Sequence, residues 1–147
     1  PGGWAQISTK LVGNQGKVMG IDTSFVEEIS GVHILKANIE DDSVIEEIFS
    51  FFGKKVNAVI SDISPQVSGN WSVDHSAQIS LNYTAVKIMD QVLAIKGNAL
   101  FKVFDGEYSS EFYHYVKKKF SKVNLTKPKA SRKPSSELYC VCLGYTG

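Results

Sequence analysis

Six short apolar runs, rich in β-branched residues and separated by stretches of helical period, restrict the fold of this chain more than any other feature. They cover residues 17–22, 32–36, 56–61, 98–104, 122–126 and 138–143. Strands that are apolar on both sides must be buried on both sides, and parallel neighbours need a crossover helix between them. The alternation therefore predicts an α/β fold built on a largely parallel sheet. Helices are expected over residues 5–12, 43–52, 73–95 and 109–120. In the longest of these Ala77, Leu81, Ala85, Ile88, Met89 and Val92 recur at helical spacing, and Gly97 is expected to end it. At the start, Pro1-Gly2-Gly3-Trp4 reads as a turn opening a helix, and in such a fold a strand should precede that turn. The expectation is a single domain over residues 1–147, truncated at its N-terminus, whose first strand lies before Pro1. A processed mature N-terminus is the alternative, and it leaves the sheet short of a member.

With 147 residues, 43% of them hydrophobic and 21% charged, the chain has the composition of one globular core. This excludes a disordered tail, a collagen-like repeat and a disulfide scaffold. No apolar run approaches the ~18 residues that a bilayer requires, and no signal peptide opens the chain, so a cytoplasmic protein with no membrane partner is expected. Cys140 and Cys142 sit two apart, on one face of a strand, and suit a reducing compartment better than a disulfide or a complete metal site. The net charge of +1 hides an asymmetry, because residues 1–111 carry −6 and residues 112–147 carry +7. The basic end holds Lys117, Lys118, Lys119, Lys122, Lys127, Lys129, Arg132 and Lys133, with Phe112, Tyr113, Tyr115 and Phe120 before or among them. Clustered cations gain affinity for a phosphate backbone by releasing its counterions. A solvated helix face followed by a polar loop accounts for the same charges, and charge alone does not choose between the two.

Individual residues add chemistry. A glycine pair at a helix start, Gly2-Gly3, lets a ligand approach the backbone and leaves N–H groups to receive a polar or anionic group. Asp22, at the end of the next strand, can accept from both hydroxyls of a ribose, an arrangement shared by NAD-binding and methyl-donor-binding folds. Asn38 follows the next strand, where its amide can read an adenine edge or simply form a turn. Asp62, in Ser61-Asp62-Ile63-Ser64-Pro65, stands at the carboxyl end of a buried strand, where open α/β sheets bind ligands. Lys102 interrupts the apolar run Ala99-Leu100-Phe101-Lys102-Val103-Phe104, and a buried ammonium needs a carboxylate. Glu137 is the one acid of the basic end. Asp62, Lys102 and Glu137 all lie at strand ends that can converge on one edge, either as a site or as a structural salt bridge with a snorkelling lysine.

Together these residues resemble the FtsJ/RrmJ family of S-adenosylmethionine-dependent ribosomal RNA 2′-O-methyltransferases. The likeness runs from Pro1-Gly2-Gly3-Trp4 through Ser61-Asp62-Ile63-Ser64-Pro65 and Phe101-Lys102-Val103-Phe104-Asp105-Gly106 to Lys127-Pro128, Ser131-Arg132 and Ser136-Glu137-Leu138-Tyr139. It implies a Rossmann-like methyltransferase fold with helices on both faces and an antiparallel last strand. It also implies that Gly2, Trp4, Asp22 and Asp62 hold the methyl donor. Of the family's catalytic lysine, aspartate, lysine and glutamate, Asp62, Lys102 and Glu137 match the last three, and the first lysine would lie before Pro1. Asn38 stands where the family usually has an aspartate, a change that removes a charge and weakens donor binding. The implied reaction is methyl transfer from S-adenosylmethionine to a ribose 2′-hydroxyl, with a uridine of large-subunit ribosomal RNA as the implied target, although transfer RNA methyltransferases share the same architecture. Lys102 is assigned here as the general base. RNA contacts are assigned to Lys127, Lys129, Arg132 and Lys133. A sulfonium methyl is already activated, so the reaction calls for no metal, and a monomer acting on ribosomal RNA or the large ribosomal subunit is expected. A non-catalytic RNA-binding protein that keeps the fold is the alternative. An NAD-dependent oxidoreductase explains Asp22 but not Lys102, Glu137 or the basic end.

Overall fold

The computed structural model describes residues 2–128 and 136–147. The chain divides into two compact units, Pro1–Lys54 and Lys55–Gly147.

In the first unit, helix α1 (Gly3–Val12) precedes strands β1 (Val18–Asp22) and β2 (Val32–Lys36), and helix α2 (Ser43–Phe52) follows. β1 and β2 pair in parallel, from Val18 opposite Val32 to Asp22 opposite Lys36, so their carboxyl ends share one edge. Gly2 caps α1 in the left-handed region at φ 93°. The backbone conformation favours glycine here, whereas the nearest atom to an added Cβ is the movable end of the Ile29 side chain. α2 buries Val44 and Ile48 and ends at Gly53, whose N–H donates to the carbonyl of Phe49 (2.8 Å).

The second unit runs β3 (Val56–Ser61), α3 (Trp71–Val92), β4 (Leu93–Phe104), α4 (Ser109–Lys117), β5 (Phe120–Thr126) and β6 (Glu137–Tyr145). The sheet order is β3-β4-β6-β5. β3 and β4 are parallel, and only β6 runs against its neighbours, as expected for the last strand. α3 and α4 pack against each other and against this sheet. The core gathers Met89, Val86, Phe101, Val103, Phe112, Val116, Cys140 and Cys142. The expected face of the two cysteines is confirmed: both are free and buried, with their sulfurs 3.8 Å apart. Among the described residues no helix is long and apolar enough to cross a membrane.

The C-terminal ends of two helices differ from the sequence reading. α3 ends at Val92, because Leu93 turns extended (φ −77°, ψ 132°) and pairs with Val56. Gly97 therefore does not cap the helix. It sits in a bulge after Lys96 (φ 67°), where a Cβ would lie 2.7 Å from the Ala94 carbonyl oxygen and from Leu93 Cδ1. α4 stops at Lys117, and Phe120 already belongs to β5, where it is buried against Tyr145. The apolar spacing marked only part of the buried face of α3, where Ala85, Met89 and Val92 are buried. Leu81 is only half-buried, whereas His75, Gln78 and Asn82 are buried, because the end of β4 offers backbone partners to Gln78 and Asn82 and the Tyr108 N–H donates to His75.

Candidate functional site

Each unit carries its own constellation. In the second, β3 stops at Ser61 opposite Phe101, so the next groups of β4 lose their partner on that edge. Buried backbone groups must be satisfied, and α3 supplies what β3 does not. Gln78 Nε2 and Asn82 Nδ2 both donate to the Lys102 carbonyl (2.7 and 2.9 Å), while Gln78 Oε1 accepts from the Phe104 N–H (3.2 Å). Lys102 is thereby held on both sides, since across the sheet it faces Tyr139 of β6.

The Lys102 side chain, on a residue only 8% exposed, reaches the end of β3. Its Nζ lies 2.9 Å from Asp62 Oδ1 and donates to the Asp62 carbonyl at 3.1 Å. The Asp62 side chain is 49% exposed, so the pair joins a buried amine to a carboxylate open to solvent. Glu137 starts β6 opposite Phe104, with only the Val103–Leu138 pair between it and the Lys102–Tyr139 pair. The Tyr139 phenol is held above its ordinary range, first by burial and then by the negative charges of Glu137 and Asp62. The structure thus gathers Asp62, Lys102 and Glu137 at one end of this sheet and adds Tyr139, which the sequence reading passed over. Its signal was alternation, because Tyr139 is two residues beyond Glu137 and shares its face.

The loop between β3 and α3 is anchored by buried Asp74. Its carboxylate accepts from the Ser68 N–H (2.8 Å), the Ser68 hydroxyl (2.7 Å) and the Gly69 N–H (3.3 Å). The Ser68 hydroxyl, followed by the Ser68 N–H, keeps this carboxyl below its usual range against the opposing effect of burial.

The first unit places Gly2 at the uncapped start of α1 and Trp4, half-buried, in its first turn. Asp22 ends β1, where Oδ1 accepts from the Ser24 N–H (2.8 Å) and Oδ2 takes no partner among the described residues. Asn38 is exposed, and its Oδ1 accepts from the Glu40 N–H (3.1 Å). It forms the local turn that was one of its two expected roles, and its NH2 takes no part in that bond. Of the basic cluster, Lys127 is exposed beyond β5, and Lys129, Arg132 and Lys133 lie outside the described residues. Lys119 is committed elsewhere: it pairs with Asp90 at 2.6 Å and lies over the Tyr115 ring. Lys117 lies over Tyr113, 5.7 Å from the ring centroid.

Residues 1–145 match the profile of the family described as FtsJ-like methyltransferase. The chain is 69% identical over its whole length to a ribosomal RNA large subunit methyltransferase E of Nitrosopumilus maritimus, covering 75% of that protein. It is 54% identical to the protein of the same description in Cenarchaeum symbiosum, covering all of this chain and 74% of the relative. Among solved structures, one assigned as a ribosomal RNA methyltransferase of Plasmodium falciparum superimposes with a TM-score of 0.87 at 27% identity, over 98% of this chain and 81% of the other.

Proposed function

Because the chain belongs to the FtsJ-like methyltransferase family, we propose that this methyltransferase moves a methyl group from S-adenosylmethionine to a ribose 2′-hydroxyl of large-subunit ribosomal RNA, a uridine being the target. One observation carries the reading: a buried lysine, ion-paired at a strand end to a solvent-open aspartate, in a chain whose curated relatives are named ribosomal RNA large subunit methyltransferase E. An ion pair retained at that depth costs desolvation energy, and a structural role alone would be served as well by apolar residues.

The residues of the first unit suit the donor by their chemistry. Glycine at the α1 cap leaves the first-turn N–H groups without a side-chain cap. Asp22 keeps one carboxylate oxygen for ribose hydroxyls, and Asn38 keeps an amide NH2 for an adenine ring nitrogen. Trp4 belongs to the same helical turn as Gly3 and adds apolar surface. When bound, S-adenosylmethionine supplies an activated methyl group. In the second unit Lys102 is the acceptor of the 2′-hydroxyl proton as the oxygen attacks. The ammonium so formed already has the Asp62 carboxylate and carbonyl in place. Gln78 and Asn82 hold the backbone of this lysine, and fixed geometry of this kind supplies much of a transfer rate. Glu137 and Tyr139 border the same end of the sheet and orient the ribose. Lys127, Lys129, Arg132 and Lys133 contact RNA phosphates. In this reading residues 1–147 act as one methyltransferase domain, in a cytoplasmic monomer.

Incubating the protein with large-subunit ribosomal RNA, with and without S-adenosylmethionine, and mapping modified nucleotides tests the reading. A donor-dependent 2′-O-methyluridine is the expected product. RNA that is bound but left unmodified means a non-catalytic binding protein, and a modified base in place of a ribose refutes the 2′-hydroxyl assignment.

A further inference from the structure

Beyond Lys102, β4 delivers Phe104 to a row of aromatic rings that the methyl-transfer chemistry does not use. Phe104 stacks on Trp71 (centroids 5.4 Å apart, planes at 25°), Trp71 on His75 (6.2 Å, 24°) and His75 on Tyr108 (5.7 Å, 5°). Four near-parallel rings thus come from β4, α3 and the residue that precedes α4. The interior of the row is fixed. His75 is 3% exposed, its Nε2 accepts from the Tyr108 N–H (3.0 Å), and Gly106 lies so close that a Cβ there would sit 2.8 Å from the imidazole. Asp74 anchors the loop that leads into Trp71. The two remaining rings nevertheless stay in solvent, Trp71 at 46% and Tyr108 at 39% exposure. Large aromatic rings held rigidly and left half in water are unusual where only core packing is served.

We infer that Trp71 and Tyr108 are a stacking platform for an unpaired RNA base at or beside the methylated nucleotide. The inference rests on the RNA reading above and deepens it. Phe104 and Lys102 are two apart on one face of β4, about 7 Å of strand. Trp71 is one ring contact beyond Phe104, and in this proposal a base there has its own or the adjoining ribose toward the lysine. Stacking on aromatic side chains accepts any base and adds affinity that salt does not screen, which the basic segment cannot provide. A base engaged there must be unpaired, so the substrate class narrows to single-stranded or locally opened RNA.

The test compares a single-stranded uridine oligonucleotide with an abasic oligonucleotide of equal length and charge, each titrated against the full chain at high and low salt. The parent should prefer the uridine strand by roughly 5- to 150-fold, the span of one base–aromatic stack. That strand alone should quench tryptophan fluorescence, and the quench should vanish in Trp71→Phe, which retains Trp4. Trp71→Ala should abolish most of the preference, and Trp71→Phe should keep most of it. Tyr108→Leu guards against misfolding of the Trp71→Ala protein and should reduce the preference as well. Equal binding of both strands by a parent that methylates RNA overturns the platform alone. A parent that neither binds nor methylates RNA overturns the RNA reading and the platform with it.

Discussion

Lys102 is tolerated at its depth because two oxygens of Asp62 face its Nζ and two amides of α3 hold its carbonyl. Removing the amine leaves Asp62 in solvent, a mild structural loss, but takes away the proposed proton acceptor. Lys102→Ala should lower single-turnover methylation by at least ~10²-fold while binding of donor and RNA persists. Lys102→Arg keeps the charge and cannot accept the proton, because guanidinium stays protonated, so it should not rescue the rate. Near-parental turnover by the arginine variant would reduce the lysine to an orienting role. Asp22 presents a separate case, since its contribution lies in binding. Asp22→Ala should weaken S-adenosylmethionine binding by roughly 1–3 kcal/mol, as expected when ligand hydroxyls lose their acceptor. Titration calorimetry reads this directly, and unchanged affinity in a folded variant removes Asp22 from the donor site.

At the scale of elements, the far end of the second unit is tied by a polar knot between α3, α4's exit and β6. Tyr145 donates to Asp90 Oδ1 (2.8 Å), and Lys119 pairs with Asp90 Oδ2 (2.6 Å). Burial, then the hydrogen bond to Asp90 and its charge, push the Tyr145 phenol from 10.0 up to about 12. A folded-state value raised above the unfolded one favours the neutral phenol in the fold. The contribution is therefore complete below pH 10 and is lost as the pH rises from 10 toward 12. Urea unfolding across that window should show stability falling with pH in the parent. In Tyr145→Phe the fall should be shallower, and parallel curves would exclude this phenol as its source. The same scale explains the end of α3. A helical pattern continues into Leu93-Ala94-Ile95, and only pairing with Val56 converts Leu93 to strand.

For the molecule as a whole, charge is the property that spans more than one element. The +7 of residues 112–147 is not wholly available to a partner, since Lys119 neutralises Asp90. Changing Lys127, Lys129, Arg132 and Lys133 together to Gln should weaken RNA binding and flatten its dependence on log salt by about 0.7–0.9 for each phosphate no longer neutralised. Donor affinity should hardly move. An unaltered salt slope would make the segment a solvated face, the reading that charge alone left open.

What the sequence by itself determined is what depends on period and on the cost of burial. Among the described residues, apolar runs located the six strands and helical spacing the four helices, and Lys102 announced its need for a carboxylate from within an apolar strand. These are local demands, legible because each residue states the environment it requires. Which neighbour meets the demand is a non-local matter, and only the tertiary structure decided it. The order β3-β4-β6-β5 set Tyr139 opposite Lys102 and Glu137 opposite Phe104. The early end of β3 left backbone groups for Gln78 and Asn82, which drew polar residues into a face that spacing had assigned to Leu81. Trp71, His75, Phe104 and Tyr108 are scattered along the chain, and a loop anchored on Asp74 together with the end of β4 brings their rings into one row.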